Sequence, residues 1–236
     1  GGAIVFGDPM VKAAVRHGID KFSGPIYPAD VQGTGFSYFR LCGMGVTNLQ
    51  GLEECTDLTD VIVPDNQITS IAPLASLYNL YQLDIQYNDV SDLMPLSGLM
   101  YLNALDASNN PLTSLVPLAP VYSLQSLGVR SCGLNNLDGL AGLYNLSQLD
   151  AQGNNIADLS PLSELTYLQN LNVSYNPLGS LAPLASVYSL RYLYINSCGL
   201  AGLDYLDNLY NLETLTAADN RIASVSPLWS LMYLVN

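Results

Sequence analysis

Stepping through the chain in increments of 22 residues from Asn66 returns Asn88, Asn110, Cys132, Asn154, Asn176, Cys198 and Asn220, and one step back returns Met44. Around these positions sits one apolar frame, as in Leu80, Leu83, Ile85, Asn88 and Val90, or in Leu168, Leu171, Val173, Asn176 and Leu178. A strict repeat constrains the fold more than composition can. Each unit must bury the same apolar face, and only a neighbouring unit can cover it. The chain is therefore expected to be a stack of coils.

The frame reads L-x-x-L-x-L-x-x-N/C-x-L, the leucine-rich-repeat signature. Side chains alternate across a strand, so Leu83 and Ile85 point into the core while Gln82, Asp84 and Gln86 face solvent. The asparagine follows where the chain turns inward, and its amide can satisfy backbone groups that have left the ladder. A second apolar spacing, as in Pro73, Leu74, Leu77 and Leu80, marks the return segment. The expected fold is an α/β right-handed solenoid. It has a parallel sheet on the concave face, short 3-10 or irregular segments on the convex face, and a helical N-terminal cap. The cap spans 1–35 and the array 36–236, nine strand motifs plus a truncated tenth.

Two stretches of "SCGL" place Cys132 and Cys198 three coils apart, roughly 14 Å at the inter-strand spacing and too far for a disulfide, which needs Cα atoms within about 7 Å. In the asparagine column a cysteine is a small buried residue with a weak S–H donor. Cys55 takes a leucine position of a return segment and Cys42 an outward strand position. The CxxC spacing of zinc sites is absent and the one histidine, His17, stands far off in the cap, so no metal site and no cofactor are expected.

The unit "PLASLYNLYQLDIQYNDVSDL" resembles the SDS22-like class of leucine-rich repeats. The whole chain resembles the bacterial internalin-type family. Its start, "FGDPMVKAAVRHGIDKFSGPIYPADV" followed by "GVTNLQGLEECTDLTDVIVPDNQITSIAPL", is similar to the helical cap and first repeats of such surface proteins. The resemblance implies an extracellular or cell-surface recognition scaffold, on a fold that carries many unrelated functions. Independently, Asp8-Pro9 reads as a helix start, with Val11, Ala14, Val15 and Ile19 on one face and Lys12, Arg16 and Asp20 on the other. Leu234 opens a further strand motif, so the chain is expected to be part of a longer one. The opening Gly-Gly-Ala lacks the charged and apolar regions of a signal peptide and reads as a processed start.

With charged residues at 11% and a net charge of −13, the chain should repel nucleic acid and anionic membranes. No apolar run approaches the ~18 residues of a membrane span, and no direct insertion is expected. A longer period lies beneath the short one. The residue before each strand-opening leucine runs Asn79, Tyr101, Ser123, Asn145, Tyr167, Ser189, Asn211, Tyr233, a cycle of three coils. Tandem duplication explains it, as does a match to a repetitive partner.

On the concave face Asp84, Asp106 and Asp150 share a column interrupted by Gly128, with Arg130 in the next column. Tyr175, Tyr192 and Tyr194 fall on two neighbouring coils, and Tyr87 occupies the position of Tyr175 four coils earlier. Tyrosine joins a broad apolar face to a polar tip, a common anchor at interfaces. These eight residues are the expected partner-binding set, for a protein or carbohydrate ligand. A second row, Tyr78, Met100, Tyr122, Tyr144, Thr166, Tyr188, Tyr210 and Met232, should form a convex aromatic ridge with Trp229 nearby, available for self-association unless the rings fold back over the turns. Catalysis finds little support: aspartates of adjacent coils could pair, but nothing in the sequence buries them enough to shift their pKa values. The expectation is a non-catalytic binding or adhesion module. The alternatives are a structural subunit assembling through the ridge and an intracellular SDS22-like regulatory scaffold.

Overall fold

The computed structural model describes residues 1–235. Two helices, α1 (Pro9–Gly18) and α2 (Pro28–Val31), precede nine three-residue strands: β1 Tyr38–Arg40, β2 Asp60–Ile62, β3 Gln82–Asp84, β4 Ala104–Asp106, β5 Ser126–Gly128, β6 Gln148–Asp150, β7 Asn170–Asn172, β8 Tyr192–Tyr194 and β9 Thr214–Thr216. All pair in parallel and in chain order, each with the next. The register is one coil throughout, so Leu83 sits beside Leu105 and Leu105 beside Leu127.

That register stacks like on like. Leu83, Leu105, Leu127, Leu149, Leu171 and Leu193 form one buried column, and the return-segment leucines at 74, 96, 118, 140, 162 and 184 form another. Each fully buried leucine contributes about 1.5–3 kcal/mol. The core is thus a continuous rod between the sheet and the convex side. Seven coils cross that side in a 3-10 turn, six of them with proline at its centre, as in Ala72–Leu74. The two coils that carry Cys132 and Cys198 do not. There the proline position holds Gly139 (φ 100°) and Tyr205 (φ 76°), and a Cβ at Gly139 would lie 2.5 Å from the Leu115 carbonyl oxygen.

Every asparagine of the ladder donates to three carbonyls, and its Oδ1 accepts two amides of the preceding coil where that coil holds Met44 or a cysteine in the column and one where it holds asparagine. The Asn154 amide donates to the carbonyls of Val129, Ala151 and Gln152, while its Oδ1 accepts from the amides of Cys132 and Leu134 in the preceding coil. In the cysteine coils the thiol donates instead, from Cys132 to Ala107 and Arg130 and from Cys198 to Val173 and Asn196, at 3.3–3.4 Å. All four thiols are free. In the cap, Val11 and Val15 of α1 are buried. Asp8 ties it to the array, accepting from Met10 N (2.8 Å) through Oδ1 and from Thr47 N (3.4 Å) through Oδ2. His17 is exposed against Phe22. At the far end Val235 N donates to Glu213 O, where a tenth strand would pair; Asn236, the last residue of that motif, lies outside the described residues.

Candidate functional site

The concave face holds a groove of about 500 Å³ running from β3 to β8, lined by Asp84, Asp106, Ser108, Gly128, Asp150 and Tyr194 among others. The aspartates are held from below. Asp84, Asp106 and Asp150 each accept, through Oδ1, the amide two residues on, that of Gln86, Ser108 and Gln152 at 3.0–3.1 Å. Asn172 does the same for Ser174. Gly128 has no side chain to do so, and the Arg130 amide turns to the Ser108 hydroxyl of the preceding coil instead. Tyr194 repeats the exception, with Asn196 N donating to Ser174 Oγ.

Gly128 lies between its strand neighbours Asp106 and Asp150. The Asp106 carboxylate leans over it, and a Cβ there would lie 2.7 Å from Asp106 Oδ1. The expectation that nothing shifts these carboxylates is corrected. Asp84 and Asp150 are half-buried, and loss of water, with a smaller contribution from the nearby charge of Asp106, raises both above the ordinary carboxylate value. The curved sheet brings side chains of neighbouring strands over them, which a single strand's alternation does not reveal. Arg130 is exposed and its charge tempers the shift of Asp150.

The tyrosines expected beside them separate into three places. Tyr194 lines the groove. Tyr192, two residues earlier on the same face of β8, is engaged at the N-terminal end of the strands, its hydroxyl donating to Glu213 Oε2 (3.1 Å) and its ring under the Arg191 guanidinium. Tyr175 and Tyr87 lie past the C-terminal ends of their strands, exposed, in left-handed backbone with φ 59° and 53°. Their column otherwise holds Gly43, Asp65, Asn109, Ser131, Gly153, Ser197 and Asp219, all at positive φ as well. A bulky ring in that conformation is unusual.

The second row does not lie on the convex face. Between each convex segment and the next strand the chain makes a two-residue turn, closed first by Leu58 N donating to Cys55 O (3.1 Å), next by Leu80 N to Leu77 O (2.9 Å), and repeated in every coil to Leu234 and Leu231. Tyr78, Met100, Tyr122 and the rest of the row occupy its first central position. That places the row on the rim where convex segments pass into strands. The rings stand out in solvent rather than folding back, Tyr78 being 63% exposed and Tyr144 56%. The reading from one column missed part of the row. Where it is broken by Met100, Thr166 and Met232, the second central position supplies Tyr101, Tyr167 and Tyr233, all exposed. The rim therefore carries one tyrosine per coil over eight coils. Trp229, also exposed, ends a convex turn and belongs to another column.

The remaining turn residues of the three-coil cycle are engaged with the backbone. Asn145 and Asn211 donate to the carbonyls of Tyr122 and Tyr188 one coil back, and Ser123 and Ser189 to those of Leu102 and Leu168. These bonds stitch successive turns together and fix the backbone from which the rings project.

A leucine-rich-repeat family model, two copies of the repeat, matches residues 144–186. Internalin C2 from Listeria monocytogenes is 30% identical over 98% of this chain and 92% of its own, with a TM-score of 0.75. The functional domain of InlJ from the same organism, which includes a cysteine ladder, shares the fold at 20% identity, over 98% of this chain and 59% of its own, with a TM-score of 0.58. The leucine-rich-repeat ectodomain of a membrane receptor kinase from Arabidopsis thaliana, in complex with Casparian strip integrity factor 2, shares it at 23% identity, over 83% of this chain and 25% of its own, with a TM-score of 0.71. No curated protein matches the chain.

Proposed function

The chain belongs to the internalin-like family of leucine-rich-repeat proteins, and from that premise we propose that it is a non-catalytic binding module of a secreted or surface-displayed bacterial protein, with the groove over β3 to β8 as its ligand face. The observation that carries this reading is the set of half-buried carboxylates on the floor of the groove, Asp84, Asp106 and Asp150, in a concavity of about 500 Å³, with Asp106 leaning over Gly128 into the space a side chain there would take. Carboxylates on three strands, with Tyr194 at one end, favour an extended protein segment bearing a basic residue. The plant receptor ectodomain of the same fold is complexed with a protein factor, which accords with a protein ligand here. Among the described residues no helix is long and apolar enough to cross a membrane.

Selection of a random-peptide display library on the immobilised chain tests the proposal. The expected result is enrichment of peptides with lysine or arginine, whose binding is lost when Gly128→Leu displaces the Asp106 carboxylate or Asp150→Asn removes a charge. Selected peptides that bind both variants as well as the parent place the ligand face elsewhere.

A further inference from the structure

The rim of tyrosines is separate from the groove. Neither central residue of any of its eight turns carries a charge, in a chain of net charge −13. The hydroxyls of Tyr78, Tyr101, Tyr122 and Tyr167 make no hydrogen bond among the described residues. Among the described residues the one aromatic contact is His17 with Phe22, in the cap, so the rim rings do not stack on one another and their faces stay open. The strip is one side chain wide and, at ~4.8 Å per coil, on the order of 30 Å long.

These properties select an occupant. A stable protein interface is a patch of about 800 Å² per partner with an apolar centre and a polar rim, and a single row has no centre. Two copies would also bring together two large negative charges. An anionic polymer meets the same repulsion. An uncharged, linear polymer does not.

Two clefts beside the row supply the polar half of such a site. One, of about 570 Å³, lies against Tyr101 with Tyr81, Asn79, Thr59 and the carboxylates of Asp57 and Asp60. The other, of about 420 Å³, lies against Tyr233 with Gln169, Arg191, Asn211 and Glu213. Each sets an aromatic wall opposite amide, hydroxyl and carboxylate groups, the combination that takes a pyranose ring: C–H groups on the aromatic face, hydroxyls to the planar polar groups. Both clefts occur where the tyrosine shifts to the second turn position, next to the asparagine of the coil before. That shift recurs every 66 residues.

We infer that this rim is a binding site for a neutral, linear polysaccharide, which runs across the coils with its sugar rings on the tyrosine faces and with sugar subsites beside Tyr101 and Tyr233. The site is independent of the groove. Native gels cast with hydroxyethylcellulose, mixed-linkage β-glucan or galactomannan test it, with polygalacturonate as the anionic comparison. Three proteins are run: the parent, a rim variant (Tyr101→Ser, Tyr167→Ser and Tyr233→Ser together) and a groove variant, Tyr194→Ala. The parent and the groove variant are expected to be retarded by at least one neutral polysaccharide and not by polygalacturonate. The rim variant should bind about tenfold more weakly, the scale of losing stacked aromatic contacts. The altered rings are exposed, so unchanged circular dichroism is expected for it. No retardation by any neutral polysaccharide, or equal retardation of the rim variant, overturns the inference. So does light scattering that shows the parent dimeric and the rim variant monomeric, which assigns the rim to a second copy.

Discussion

The amide of Leu112 donates to the carbonyl of Asn110, two residues back, at 2.8 Å. In other coils the equivalent amide crosses to the asparagine of the next coil, as Val90 N does to Asn110 Oδ1 and Leu134 N to Asn154 Oδ1. For Leu112 the residue in that place is Cys132, whose thiol can donate but accepts weakly. Leu178 repeats the arrangement below Cys198, donating to Asn176 O at 2.9 Å. In both coils the intervening residue is proline, Pro111 and Pro177, which has no amide to place. Proline in one coil and cysteine in the next are thus a coupled pair. A cysteine introduced without the upstream turn should be costly. Asn154→Cys removes the acceptor of two buried amides and is expected to destabilise the chain by about 2–6 kcal/mol, at 1–3 kcal/mol per unsatisfied group. Cys132→Asn, where no amide depends on the side chain, should stay within about 1 kcal/mol of the parent. Urea unfolding of the two variants measures the contrast, and equal midpoints would remove the coupling.

Tyr175 holds its left-handed backbone at a cost that a side chain without a Cβ does not incur, about 1–2 kcal/mol for an L-residue. It makes no hydrogen bond through its ring that would offset this. Tyr175→Gly is therefore expected to raise stability by roughly 0.5–1 kcal/mol, after allowance for glycine's greater unfolded-state entropy. Tyr87→Gly should behave alike. Thermal unfolding reads the change; a fall in the midpoint for both would mean that the rings pack usefully and the strain argument fails.

The leucine frame and the asparagine ladder were legible because each is a one-dimensional period, and the register of Leu83 beside Leu105 follows from it. The site was legible only in part. Alternation put Tyr192 and Tyr194 on one face correctly, but Tyr192 reaches Glu213 of the next coil and Tyr175 lies beyond its strand, and neither fact is contained in a single strand's pattern. The aromatic row was followed down one column, whereas the two central residues of a turn both point outward; Tyr101, Tyr167 and Tyr233 complete it from the next column. Gly128 read as a gap between aspartates. The lean of Asp106 into that gap, and the partial burial of Asp150, come from the approach of neighbouring coils.

Asp150 offers a test of that burial. Its raised pKa means that the folded state disfavours the charged form, so its contribution to stability is present below the unfolded value of 3.8 and is lost as pH rises through the folded value. At neutral pH the charge is a net cost. Asp150→Asn keeps an oxygen for the Gln152 amide, as Asn172 does for Ser174, and removes the charge. The variant is expected to be more stable than the parent at pH 7 and to lose that advantage towards pH 3. A parent that is more stable at pH 7 would show instead that attraction to Arg130 dominates.

The buried thiols give the opposite flank of the pH profile. Burial, with Glu53, Glu54 and Asp57 adding to it, pushes the Cys55 thiol up to about 12, and burial pushes Cys132 up to about 11. Cys198 is raised for the same reason. The unfolded chain loses these protons near pH 9 while the folded chain keeps them, so folding binds protons and stability falls as pH climbs from about 9 towards the folded values. Each such thiol accounts for up to about 1.4 kcal/mol per pH unit over that window. Urea midpoints at pH 8 and pH 10.5 should therefore separate more for the parent than for Cys55→Ala, which removes one of these groups. The same burial protects the thiols from chemistry, since the thiolate is the reactive form. An aromatic disulfide reagent at pH 8 is expected to label Cys42, the one partly exposed thiol, and to reach the other three only after denaturant is added. Rapid labelling of a second thiol in the native chain would mean that a coil opens locally, and peptide mapping of the labelled cysteine would locate it.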